Sequence, residues 1–141
     1  MCREIIKGVQ MVDLPKIKDS RGNLSFFENS TQIPFNIKRT YWIYDVPGGE
    51  IRGSHAFKES HEFIVALSGS FDVVLHNGEH EVKYSLNRSY SGLYVPNLIW
   101  RRLENFSTNS LALIVSNIGY NEHDYIRDFD EFKKVKDEIE Q

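Results

Sequence analysis

Short strand-forming runs, broken by turn residues at intervals of about 8–12 positions, narrow the folds open to this chain more than any other feature. The clearest pair of runs flanks Asn77-Gly78. Before it, Phe71, Val73 and Leu75 alternate with Asp72 and His76, and Val74 is the one apolar interruption. After it comes a second strand-like run over residues 79–84. Asn-Gly between two such runs predicts a β-hairpin with a type I′ turn, because both central residues of that turn take positive φ. Further strands are predicted over residues 24–28, 40–44, 62–67, 93–95, 100–104 and 111–115. The pattern predicts an all-β sandwich, jelly roll or barrel. The C-terminus departs from it. Phe129, Phe132, Val135 and Ile139 follow one another at spacings of 3, 3 and 4, which predicts one amphipathic helix over about residues 128–140. Asp128 is its expected N-cap, with Glu131 three residues on to complete a capping box.

At 141 residues the chain has the length of a single domain, expected over residues 1–141, and its 40% hydrophobic content suffices to fill a core. A formal charge of −3 carries no global basicity that would point to nucleic acid. Cys2 is the one cysteine, so no internal disulfide forms. The opening MCREIIKGVQ lacks the apolar core of a secretory signal, and no apolar run is long enough to span a bilayer. These features predict a cytoplasmic protein with neither membrane nor nucleic-acid partner.

Histidine is the informative residue type. His76 and His80 flank the predicted turn, and His123 sits in the polar stretch Asn121-Glu-His-Asp124. His55 stands inside a frame: Gly49, five residues, His55, one residue, Phe57, four residues, Glu62, six residues, Gly69. Later come Pro96, Arg101 and Asn105. The first stretch resembles the signature of the cupin superfamily with one replacement, Phe57 where a second histidine stands. The second resembles the other cupin signature only at Pro96 and Asn105. Cupins are antiparallel jelly-roll barrels, in agreement with the strand pattern; with the predicted helix, the expected fold is an all-β cupin barrel carrying one C-terminal α-helix. In metal cupins three histidines and the glutamate hold a divalent ion. Here two of those positions are Phe57, which has no lone pair, and Arg101, which stays protonated and repels a cation. No metal or other cofactor is expected.

A closer likeness runs from about residue 10 to 134. It rests on Asp19-Ser-Arg-Gly22, Ile33-Pro-Phe35, Arg39-x-Tyr41, Arg52-Gly-x-His55-Ala56 with Lys58, Gly92-Leu-Tyr-Val95, and Asp124-Tyr-Ile-Arg127 with Phe129. This set resembles the WxcM-like (FdtA-type) cupins, sugar-nucleotide 3,4-ketoisomerases acting on dTDP-4-keto-6-deoxyglucose. The resemblance implies metal-free catalysis, a homodimer, and a keto-sugar product for an aminotransferase that makes 3-amino sugars of bacterial surface glycans. Family members read His-Ala-His where this chain reads His55-Ala56-Phe57.

The implied reaction moves a carbonyl from C4 to C3 of the hexose through an enediol. An imidazole suits the carbon proton transfers, so His55 is the expected base and Tyr41 its partner. Arg39 and Tyr41 share a strand face. Alternation puts Arg52 and His55 on opposite faces unless a bulge at Gly53 brings them together; otherwise Arg52 meets phosphate at the rim. Arg39, Arg52 and Arg101 are candidate partners of the diphosphate or of an enediolate oxygen, and Tyr94 and Trp100, with Tyr41, are candidates for the thymine slot. Arg21 and Gly22 resemble an element near the hexose that bears on the face of C4 protonated, with the galacto product favoured. Plainer readings stand beside these: Arg101 paired with Glu62, and Tyr41 and Trp100 as core aromatics. Two other functions stay open, a non-catalytic sugar-nucleotide-binding cupin and an epimerase of the same substrate. The early strands are candidates for crossing to a partner subunit.

Overall fold

A computed structural model of the chain describes residues 5–140. Twelve strands come in the order β1 (Gln10–Asp13), β2 (Lys16–Ile17), β3 (Leu24–Ser25), β4 (Arg39–Tyr44), β5 (Arg52–Phe57), β6 (Glu62–Ser68), β7 (Phe71–His76), β8 (Glu81–Leu86), β9 (Ser91–Val95), β10 (Trp100–Glu104), β11 (Leu111–Ser116) and β12 (Tyr125–Ile126). A 12-residue helix, α1 (Phe129–Glu140), follows. One sheet has the order β1-β9-β6-β11-β4, a second β12-β5-β10-β7-β8, and β2 pairs with β3 alone. Every ladder is antiparallel. The two large sheets face each other as a jelly roll. Among the described residues no ladder joins one to the other, so the expected barrel is an open one. No described helix is long and apolar enough to cross a membrane.

Period-2 alternation explains the core. Ile64 and Ala66 on β6, Ala112 and Ile114 on β11, Phe71, Val73 and Leu75 on β7, and Leu103 on β10 pack between the sheets. The opposite face of the first sheet buries Phe63, Val65 and Val115 against Leu14, Ile33 and Phe35 of the chain ahead of β4. The opposite face of the second is covered by α1, where Phe132 packs with Ala56, Trp100 and Ile126. Asp128 caps that helix as expected, accepting a hydrogen bond from the Glu131 amide at 3.1 Å. Ile139, at the end of the predicted stripe, is exposed.

The hairpin at Asn77-Gly78 differs from the predicted type I′ turn. His76 pairs with Glu81, so the loop has four residues, and of the dipeptide only Gly78 has positive φ. The Asn77 side chain accepts hydrogen bonds from the Glu79 and His80 amides, a local cap that carries the turn two residues further and starts β8 at Glu81.

The interior has a polar end. Register places Ser116 opposite both Glu62 and Arg39, and Arg101 opposite His55. One turn of the pleat inward on β6, β11 and β10, these give way to Ile64, Ile114 and Leu103.

Candidate active site

β5 carries the key histidine, and its geometry is set by a bulge. Arg101 pairs with His55 but Leu103 pairs with Arg52, so Gly53 and Ser54 together oppose Arg102. Gly53 has φ +69, the left-handed conformation that opens such a bulge with glycine. The extra residue resets the alternation and puts Arg52 and His55 on one face. Arg52 is nevertheless exposed at the strand's start, lining an open cavity of about 460 Å³ formed by residues 42–47 and 50–52.

His55 is buried, 7% exposed. Its ring lies edge-on between Phe57, with centroids 4.8 Å apart, and Tyr125, at 5.0 Å. Its Nδ1 is buried without a hydrogen-bond partner. Burial first, then the charges of Arg101, Arg127 and Arg39, push its pKa down to about 2. The imidazole is therefore neutral across the physiological range and has a lone pair to offer.

Arg101 is the largest fully buried side chain, at 1% exposure. Its Nε donates to Glu62 Oε1 at 2.9 Å, and its Nη2 to Glu62 Oε2 at 3.2 Å and to the Tyr41 hydroxyl at 2.8 Å. Its Nη1 donates to the Gly53 carbonyl at 3.0 Å. Tyr41 in turn donates its own proton to Glu62. Burial above all pushes the Tyr41 phenol well above its ordinary pKa. Glu62, Tyr41 and Arg101 thus form a closed network in which charge is balanced inside a dry site. A side chain at Gly53 would meet it directly, because a Cβ there would collide with Arg101 Nη1.

Two members of this network, Glu62 and Arg101, stand at positions that the cupin signatures give to metal ligands, and their chemistry does not fit a metal. The guanidinium presents hydrogens rather than lone pairs and takes both oxygens of Glu62. Among the described residues no group of three or more His, Cys, Asp or Glu side chains gathers to ligate an ion.

Arg39 forms the rim. Its Nη1 donates to the Tyr125 hydroxyl at 2.7 Å, and its guanidinium lies 4.4 Å from the Tyr41 ring centre and 5.0 Å from that of Tyr120. Arg127 sits 4.3 Å over the Tyr125 ring and is held by Glu122 at 2.8 and 3.0 Å. Asp124 fixes this segment to the β5–β6 loop by accepting from the Glu59 and Ser60 amides at 2.7 and 3.1 Å and from the Ser60 hydroxyl.

The structure therefore gathers His55, Tyr41, Arg39 and Arg101, and leaves the other five sequence candidates, Arg52 among them, elsewhere. Trp100 is on the opposite face of its strand from Arg101, packed under α1 edge-on to Phe129 and tilted to Phe132, at 5.4 and 5.9 Å. Tyr94 is on the outer face of its sheet, with its hydroxyl 2.6 Å from His61 Nδ1. Arg21 is exposed and paired with Asp19 at 2.8 Å, in a turn closed by the Gly22 amide. Tyr125 and Arg127 also belong to the site, and the string Tyr125-Ile-Arg127 in the family resemblance is their signal in the sequence.

Facing antiparallel sheets with a histidine, a glutamate and an arginine gathered at the polar end define a cupin whose metal cage has become an ion-pair network. Residues 7–137 match the family FdtA: WxcM-like, C-terminal. The chain belongs to that family. It is 39% identical over 125 residues to the TDP-4-oxo-6-deoxy-alpha-D-glucose-3,4-oxoisomerase of Aneurinibacillus thermoaerophilus, covering 89% of this chain and 90% of that protein. A histidine-to-asparagine variant of the 3,4-ketoisomerase QdtA from Thermoanaerobacterium thermosaccharolyticum, in complex with TDP-4-keto-6-deoxyglucose, superposes with a TM-score of 0.92 at 30% identity, covering 95% of this chain and 97% of that one. A 3,4-ketoisomerase from Helicobacter canadensis superposes with a TM-score of 0.90 at 37% identity, covering 92% and 98%.

Proposed function

We propose that this chain is a TDP-sugar 3,4-ketoisomerase that moves the carbonyl of dTDP-4-keto-6-deoxyglucose from C4 to C3. The observation that carries the chemistry is the neutral, buried imidazole of His55 ringed by fixed cations. The C4 ketone acidifies the C3 proton, and His55 removes it. The anionic substrate offsets the field of Arg39, Arg101 and Arg127 and so raises the proton affinity of the imidazole when the proton must be taken. Charge moves onto O4. The O3 proton then passes to O4 through Tyr41, whose hydroxyl turns from Glu62 to give its proton to O4 and takes the O3 proton in exchange. The imidazolium finally returns its proton to C4, one bond away from C3, leaving the ketone at C3. No step passes through a metal. Arg39 and Arg52 are assigned to the diphosphate, and Arg101 holds the Tyr41–Glu62 pair.

The finer parts of the reading are these. The protein works in the cytoplasm as a homodimer, and an aminotransferase consumes its product. The unpaired edge of β4, with Trp42 and Tyr44 exposed on it, supports association through the first sheet. Within the single chain β1 pairs with its own β9.

The test is to incubate the purified protein with dTDP-4-keto-6-deoxyglucose in D2O containing EDTA and to follow carbon NMR. A carbonyl appearing at C3 is the expected result, and the configuration at C4 separates the favoured galacto product from its epimer. Exchange at C3 or C5 with the ketone still at C4 would mark an epimerase. Neither change, with nucleotide-sugar bound, would mark a binding protein, the alternative that Phe57 keeps open.

A further inference from the structure

We propose that Tyr125 is a catalytic residue, its phenol donating the hydrogen bond that stabilises negative charge on the substrate ketone oxygen while His55 holds the C3 proton. This rests on the isomerase reading above. The inference starts from which hydrogens around His55 are already committed. Of the two rings packed on the imidazole, Phe57 has no polar hydrogen to give. The Tyr41 proton goes to Glu62, and its oxygen accepts from Arg101. Arg101 is buried and spans Glu62, Gly53 and Tyr41. Tyr125 is different. It is half-buried, with its ring 5.0 Å from the His55 ring, and its oxygen accepts from Arg39 at 2.7 Å. A guanidinium has no lone pair, so the phenolic hydrogen of Tyr125 cannot point back to its own partner. It is left to serve an acceptor beside His55.

Two further features suit it to that task. A donor whose oxygen is itself hydrogen-bonded to a cation is polarised and becomes a stronger donor. Arg39 supplies this, and Arg127, 4.3 Å over the ring, adds a second positive charge. The residue is also held in place. Tyr125 pairs with Phe57 across the β5–β12 ladder, and the Asp124 clamp fixes the backbone before it. A preorganised donor of this kind does not reorganise when charge develops.

The experiment is Tyr125→Phe, which keeps the ring against His55 and removes only the hydroxyl. We expect kcat to fall by about 10²-fold or more, the usual cost of losing one oxyanion donor. KM should change little, and the thermal midpoint should stay near the parent's. Turnover at the parental rate overturns the proposal, and so does a raised KM with kcat intact, which would make Tyr125 a binding residue. Should Tyr125→Phe fail to fold, 3-fluorotyrosine at position 125 takes its place. Its more acidic phenol preserves packing and should change kcat, and an unchanged kcat overturns the assignment. A parent protein that moves no carbonyl defeats the isomerase reading itself, whereas an active parent with an unimpaired Tyr125 variant defeats only the role given to this phenol.

Discussion

At the scale of single residues, His55 ties chemistry to stability. An unfolded chain protonates this imidazole near pH 6.5, whereas the folded site holds its pKa far lower through burial and the three neighbouring guanidinium groups. Below about pH 6.5 the unfolded state therefore binds a proton that the native state refuses, and stability falls as pH falls, by up to about 1.4 kcal/mol per unit. His61 and His76, lowered by desolvation, act in the same direction. Urea unfolding should accordingly show a loss of stability between pH 7 and pH 5. His55→Asn should make that loss smaller while abolishing turnover at every pH. A variant with the parental slope would show that the imidazole is not held neutral, and a variant with parental activity would remove His55 as the base.

At the scale of elements, the β5 bulge sets the site. Gly53 takes a conformation that costs other residues energy, and its carbonyl receives Arg101 where a Cβ would collide with the guanidinium. Gly53→Ala should cost about 2–3 kcal/mol in chemical denaturation, from left-handed strain and displacement of Arg101, and should depress turnover with it. The central strands β6, β7, β10 and β11 were legible in the sequence to within a residue, because alternation and turn residues agree there. So was α1, where a cap, a stripe and a length coincide. β1, β2 and β12 were not, because such short edge segments are fixed by the partner they pair with rather than by their own residues. Strand parity put Arg39 and Tyr41 on one face, and the resemblance to the cupin signatures put His55 and Arg101 in the same interior. The same parity argument, carried one residue along β10, puts Trp100 on the far side from Arg101. Identity as an aromatic said nothing about which face it would take. Tyr125 reaches His55 only through the pairing of β12 with β5, across six intervening strands of the chain, a contact that no local pattern announces.

At the scale of the whole molecule, the Glu62–Arg101 pair joins the two sheets, since Glu62 lies on β6 in one and Arg101 on β10 in the other. Both side chains are 2% exposed, so deleting one partner leaves the other charged and unsatisfied. Glu62→Leu should destabilise the fold by about 3–5 kcal/mol. Adding Arg101→Met should recover most of that loss without recovering activity, a result read from a double-mutant cycle with a turnover assay beside it. A double variant as unstable as the single one would show that the network holds the sheets together by its bonds and not merely by charge balance. The helix laid over the second sheet has a practical consequence as well. Of the two tryptophans in the chain, Trp100 beneath α1 is 9% exposed and Trp42 on the first sheet is 58% exposed. Iodide should therefore quench one indole and spare the other, giving the protein two built-in fluorescent reporters, one for the docking of its helix and one for whatever settles on its outer face.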